Sequence, residues 1–246
     1  MSQTETFRQH APAPLAPRPI QLPLPSETAL SNGFRVVIVE DKRLPLVSYR
    51  LAFRAGDAHD PADFPGLTDL MTGLITEGTP SLTSRQIADE VGRMGATLNA
   101  GANSDYTTVA ASSLAAFSDN VLDMVADVAR NPTFPENEVE LIKQNTKESL
   151  RQQRAQPSFL ATEMVSRVIF GKHPYSVIAP TLASLDAISR EMIVDFHRSK
   201  FLPNHAVLVI VGDVHADLLL KRIEGLFGDW KKGETAKDDF PAPPQR

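Results

Sequence analysis

Apolar and polar positions alternate along 47–53, where Val47, Tyr49, Leu51 and Phe53 are interleaved with Ser48, Arg50 and Ala52. A period of two predicts a strand with one buried face. Ahead of it, Ser31-Asn32-Gly33 reads as a turn into the β-branched run Phe34 to Val39, which predicts a buried strand in a hairpin. The period then lengthens, predicting helices over 65–76, 84–94 and 118–130, with a strand-like stretch over 97–113 between the last two. Within 118–130, Val121, Leu122, Val125, Val128 and Ala129 share one face, and Ser118 is a candidate N-cap. Pro135 suits the first turn of a helix over 135–154 that Gln156-Pro157 ends, and a further helix covers 158–170. A helix over 190–199, a strand over 206–211 and a helix over 216–227 complete the pattern. Strands in clusters separated by helix pairs predict an α+β fold: two layers, a mostly antiparallel sheet covered by helices.

Composition bounds what such a fold can do. The chain has 246 residues, 42% apolar and 22% charged, enough to bury a core without crosslinks. A net charge of −5 with no long basic run excludes sequence-independent nucleic-acid binding, which needs a cationic surface. Cysteine is absent, so any zinc would need histidine and carboxylate ligands. No run reaches the roughly 18 apolar residues of a membrane span, and no basic-then-apolar leader opens the chain. As it stands the sequence reads as soluble and cytoplasmic. The proline-rich ends, Ala11 to Pro19 and Pro241 to Arg246, set off an extension over 1–26 and a linker over 233–246 from a domain over 27–232. A second domain is expected beyond that linker.

Candidate chemistry is sparse. None of the histidines (His10, His59, His173, His197, His205, His215) pairs with another at i, i+4 on an expected helix. His59 with Asp57, Asp60 and Asp63 is the densest group, read either as a solvated loop or as a relocated metal site. There is no Gly-x-Ser-x-Gly elbow, P-loop or dinucleotide fingerprint. Glu136, Glu138 and Glu140 open a helix, where their charge complements the macrodipole.

Residues 65–79, PGLTDLMTGLITEGT, resemble the active-site helix of the pitrilysin and insulinase family of zinc peptidases, which includes mitochondrial processing peptidase. Other segments follow that family's order and spacing: Leu30 to Val36, Arg54-Ala55-Gly56, Gly95 to Ala100, Phe134-Pro135-Glu136, His173-Pro174-Tyr175, Val209 to Val214 and Phe227 to Trp230. The resemblance covers about 28–232 and implies the processing peptidase-like metallohydrolase fold.

The family's H-x-x-E-H motif is missing. Alignment on the flanking glycines puts Asp69 and Gly73 where the two histidine ligands belong and Thr72 at the general base, and alignment from Phe134-Pro135 puts Ser149 at the glutamate ligand. Glu148, next to Ser149, would point about 100° away around a helix. The resemblance therefore implies a non-catalytic domain, with no zinc expected although active relatives carry it. It also implies that Leu98, Asn99, Ala100 and Gly101 form an edge strand that takes an extended peptide by backbone pairing. The partners implied are a peptide or unfolded polypeptide and an active homologous subunit or second domain closing a chamber, with a homodimer as a further form. A purely structural assembly subunit is the alternative. Bacterial relatives of this degenerate type place the chain in the periplasm or envelope if a leader has been removed.

Overall fold

The computed structural model describes residues 15, 23–234 and 240–242, so most of the expected extension and part of the expected linker lie outside the described residues. The chain forms β1 (Ser26–Ala29), β2 (Arg35–Glu40), β3 (Leu46–Phe53), α1 (Leu67–Leu74), α2 (Ser84–Arg93), β4 (Thr97–Ala102) and β5 (Thr107–Leu114). It continues through α3 (Ser118–Arg130), α4 (Glu136–Arg154), α5 (Pro157–Phe170), α6 (Leu182–Ala187), α7 (Arg190–Lys200), β6 (Ala206–Gly212) and α8 (Ala216–Phe227). The strands make one sheet in the order β1-β2-β6-β3-β5-β4. Only β2 and β6 run parallel, with Val36 opposite Leu208 and Ile38 opposite Ile210, so the mostly antiparallel α+β architecture holds.

The period-two pattern explains the layering. Val47, Tyr49, Leu51 and Phe53 of β3 are buried against the helices while Leu46, Ser48 and Arg50 are exposed. Each such side chain contributes roughly 1.5–3 kcal/mol by leaving water. Aromatic stacking closes one end of the core, Phe34 on Phe227 at 4.6 Å and Phe53 on Phe201 at 4.0 Å between centroids. The expected turn at Asn32 ties the two ends of the domain together. Its side-chain amide donates to the carbonyls of Phe227 at 2.7 Å and Trp230 at 2.9 Å, and its oxygen accepts from the Phe34 amide.

Local differences from the sequence reading have local causes. The stretch over 97–113 is two strands, because the Asn103 side chain accepts from the amides of Asp105 and Tyr106, each at 2.9 Å, and turns the chain. The helix expected from 65 starts at Leu67, since Gly66 is left-handed at φ 97°. Ser118 does not cap α3; its hydroxyl pairs with the Tyr49 hydroxyl at 2.6 Å. Helix α6, not expected, is closed by a capping box between Thr181 and Ser184. Lys143 and Lys147 are buried on α4, donating to the carbonyl of Ile188 just after that short helix and to the carboxylate of Asp186 within it.

Candidate functional site

Helix α1 packs beside β4 and against α4, the pairing the expected site requires. Its start is unusual. Gly66 offers no capping side chain, and Asp60 substitutes from the preceding loop, accepting from the Gly66 amide at 2.7 Å, the Thr68 amide at 2.9 Å and the Thr68 hydroxyl at 2.6 Å. Burial pushes the Asp60 carboxyl up to about 6 against those donors, which favour its ionised form.

Of the four motif positions, two line one cleft. Asp69 of α1 and Ser149 of α4 face a recess of about 400 Å³ with Asn145, Thr146, Gln153 and Ile178. Asp69 also walls a second recess of about 190 Å³, formed with Asp57, Asp60, Lys172 and His173, and the two recesses share Ile178, Ala179 and Pro180 as well. Although Asp69 is exposed by accessible area, its concave setting and then the neighbouring Asp57 hold its carboxyl above the usual range. Asp57 is raised as well, first by burial, with a Ser104 hydrogen bond opposing and Asp105 adding.

Thr72 and Gly73 line neither recess. Thr72 is 3% exposed and its buried hydroxyl has no hydrogen-bond partner. Gly73 is exposed, and a Cβ there would stand 2.4 Å from Cδ1 of Ile142 on α4, a methyl that would have to shift. The donor set at these positions is one carboxylate, two hydroxyls and a glycine, which does not fit zinc. Among the described residues no group of three or more histidine, cysteine, aspartate or glutamate side chains could hold a metal. In the His59 group, Asp60 is engaged at the start of α1.

Strand β4 is the last in the sheet, so Leu98, Asn99, Ala100 and Gly101 lie on an open edge. Leu98 and Ala100 pack toward the core, and Asn99 and Gly101 face out. Sequence reading missed Ile142, Asn145 and Thr146, although they share the Ser149 face of α4 by helical spacing. In the quoted segment His173-Pro174-Tyr175 the Tyr175 hydroxyl donates to Asp105, and sequence reading missed Phe240, whose ring lies 5.4 Å from that of His59 and 5.6 Å from that of His173.

A six-stranded sheet carrying this helix pair defines a peptidase-like domain. The chain belongs to the insulinase family, peptidase family M16: that family's profile matches residues 35–180, and the profile of the peptidase M16 inactive domain matches 187–246. An uncharacterized zinc protease of Bacillus subtilis is 24% identical over 206 residues, 83% of this chain and 50% of that protein. A non-peptidase homolog of Helicobacter pylori is 23% identical over 206 residues, 83% of this chain and 48% of that protein. The crystal structure of a peptidase M16 inactive domain from Pseudomonas fluorescens superposes with a TM-score of 0.83 at 25% identity, over 90% of this chain and 54% of that one. The chain thus spans about half the length of the curated relatives it matches. Among the described residues no helix is long and apolar enough to cross a membrane.

Proposed function

We propose that this chain is a non-catalytic peptidase-like unit that holds an extended peptide along β4 and forms a chamber with a second unit of its family, an active partner or second half supplying zinc. The observation that carries the reading is the pairing of a β4 edge beside α1 with a donor set on α1 and α4 that does not fit zinc. The edge offers backbone groups to an extended ligand, which needs few particular side chains. Asp69, Thr72 and Gly73 do not supply the histidine ligands and glutamate base that would activate water. The relative described as a non-peptidase homolog supports the same division.

The test uses the full chain and a labelled unstructured peptide. Anisotropy should report binding, and mass spectrometry should show the peptide intact, with no effect of chelator. Neighbouring residues of a strand point their amides to opposite sides. Of Asn99→Pro and Ala100→Pro, therefore, one removes an amide facing away from β5 and should abolish binding without lowering the melting temperature. Peptide cleavage by the purified chain that chelator stops would overturn the reading. Absence of peptide binding, with a partner's cleavage rate unchanged by added chain, would leave a purely structural subunit.

A further inference from the structure

The geometry of the turn before β2 calls for asparagine followed by glycine. The Asn32 side chain is buried and uses all of its hydrogen-bonding groups: the amide donates to the carbonyls of Phe227 and Trp230, and the oxygen accepts from the Phe34 amide. A carboxylate or an aliphatic side chain could not make that set. Gly33 is left-handed at φ 87°, and a Cβ there would stand 3.0 Å from Cβ of Asn204. The chain has an Asn-Gly pair nowhere else. The same pair is chemically the most labile setting for an asparagine, because the amide nitrogen of glycine reaches the preceding side chain with no Cβ in the way.

We propose that Asn32 is a deamidation site, protected while the two ends of the domain are latched together and reactive once they part. The Gly33 backbone nitrogen loses its proton and bonds to Cγ of Asn32; the Cγ–Nδ2 bond breaks, and the side-chain nitrogen leaves as ammonia. One water then opens the resulting five-membered imide, giving aspartate or isoaspartate at position 32. The closed fold opposes the first step at both reacting groups. Nδ2, which must leave, is held by two carbonyls at 2.7 and 2.9 Å, and the Gly33 amide donates to the Leu30 carbonyl at 2.9 Å. Local opening of the segment bearing Phe227 and Trp230 releases Nδ2. The change runs one way. A carboxylate only accepts, so at 32 it would face the Phe227 and Trp230 carbonyls with no hydrogen to offer. The segment after α8 then loses its tie to the turn before β2, and each molecule keeps a record of having opened. The inference stands apart from peptide binding, since three strands separate β2 from β4 in the sheet.

The test incubates the full chain in mildly alkaline buffer, folded in one arm and unfolded by concentrated urea in the other, and follows amide-to-acid conversion at each asparagine by peptide-mapping mass spectrometry. In urea, position 32 should convert ahead of Asn103 and Asn145, because Ser104 and Thr146 carry side chains where Gly33 has none. In the folded arm, conversion at 32 should be slower by at least about tenfold, in proportion to the rarity of opening. A chain converted in urea and returned to buffer should melt below an unconverted chain taken through the same cycle. Emission from Trp230, the only tryptophan, should move to longer wavelength. Asn32→Asp, which sets one of the two products in place from the start, should reproduce the lower melt. Equal rates at 32 in the two arms would overturn the proposal. So would conversion in urea no faster at 32 than at 103, or a converted chain whose melt and emission are unchanged.

Discussion

The tip of Ile142 on α4 occupies the space beside Gly73 on α1: Cδ1 would lie 2.4 Å from a Cβ at 73. Two effects of Gly73→Ala oppose each other. Alanine stabilises a helix over glycine by about 1 kcal/mol, and overpacking costs about 1–3 kcal/mol. The contact is with a terminal methyl that can rotate, so the expected net loss is small, about 1 kcal/mol in urea denaturation. Ile142→Val deletes that methyl, and in its background Gly73→Ala should turn stabilising. A double-mutant cycle showing simple additivity would mean the two residues do not touch.

Gly56 presents a sharper case. A Cβ there would meet the Asn103 carbonyl oxygen at 2.2 Å, with backbone atoms of Ser104 and Asp105 at 2.3 and 2.4 Å. None of these can rotate away. The Asp57 amide donates to the same Asn103 carbonyl at 3.0 Å, so this contact fixes the loop bearing Asp57 and Asp60 to the β4–β5 turn. Gly56→Ala should cost about 3 kcal/mol or more. It should also loosen the start of α1, read as faster amide exchange at Gly66 and Thr68. A loss no greater than that of Gly73→Ala would contradict the close approach.

The alternation of Val47 to Phe53 and the helical stripe of α3 made the layers legible, because each reports on one element facing one core. The cleft was only half legible. Asp69 and Ser149, which the resemblance put together, line one recess, but nothing local to Gly73 announces that Ile142, 69 positions along the chain, lies beside it. Asp60 was visible as a member of an acidic loop, yet its capping task depends on the left-handed Gly66, a backbone state the sequence leaves open.

Acid response should separate two inward-facing groups of opposite sign. Asp60 titrates at about 6 in the fold against 3.8 free, so its contribution to stability falls as pH rises from 4 to 6. His197 is held down at about 4 against 6.5, first by burial, with its hydrogen bond to the Ala129 carbonyl opposing; its contribution falls as pH drops from 6.5 to 4. Each shift corresponds to about 3 kcal/mol at most, so the two nearly cancel and wild-type stability should vary little between pH 4.5 and 7 from these groups. Asp60→Asn should leave the His197 slope exposed, making the protein lose stability in acid. His197→Gln should do the reverse and favour pH 4.5 over 7. Urea midpoints for both variants decide it, and parallel pH profiles for the two would refute the assignment.

Restoring the motif letters should not restore a metal site by itself. Asp69→His, Thr72→Glu, Gly73→His and Ser149→Glu together supply the family's donor types. The imidazole introduced by Gly73→His would project into Ile142, however, and Thr72→Glu would put a carboxylate where a 3% exposed threonine now sits. The four-fold variant is expected to hold well under one zinc per chain by elemental analysis after gel filtration. Adding Ile142→Ala opens the volume beside position 73 and should raise occupancy toward one, with tighter competition against a fluorescent chelator. Equal zinc in the two variants would show that packing by α4, as distinct from the missing ligand atoms, plays no part in closing the site.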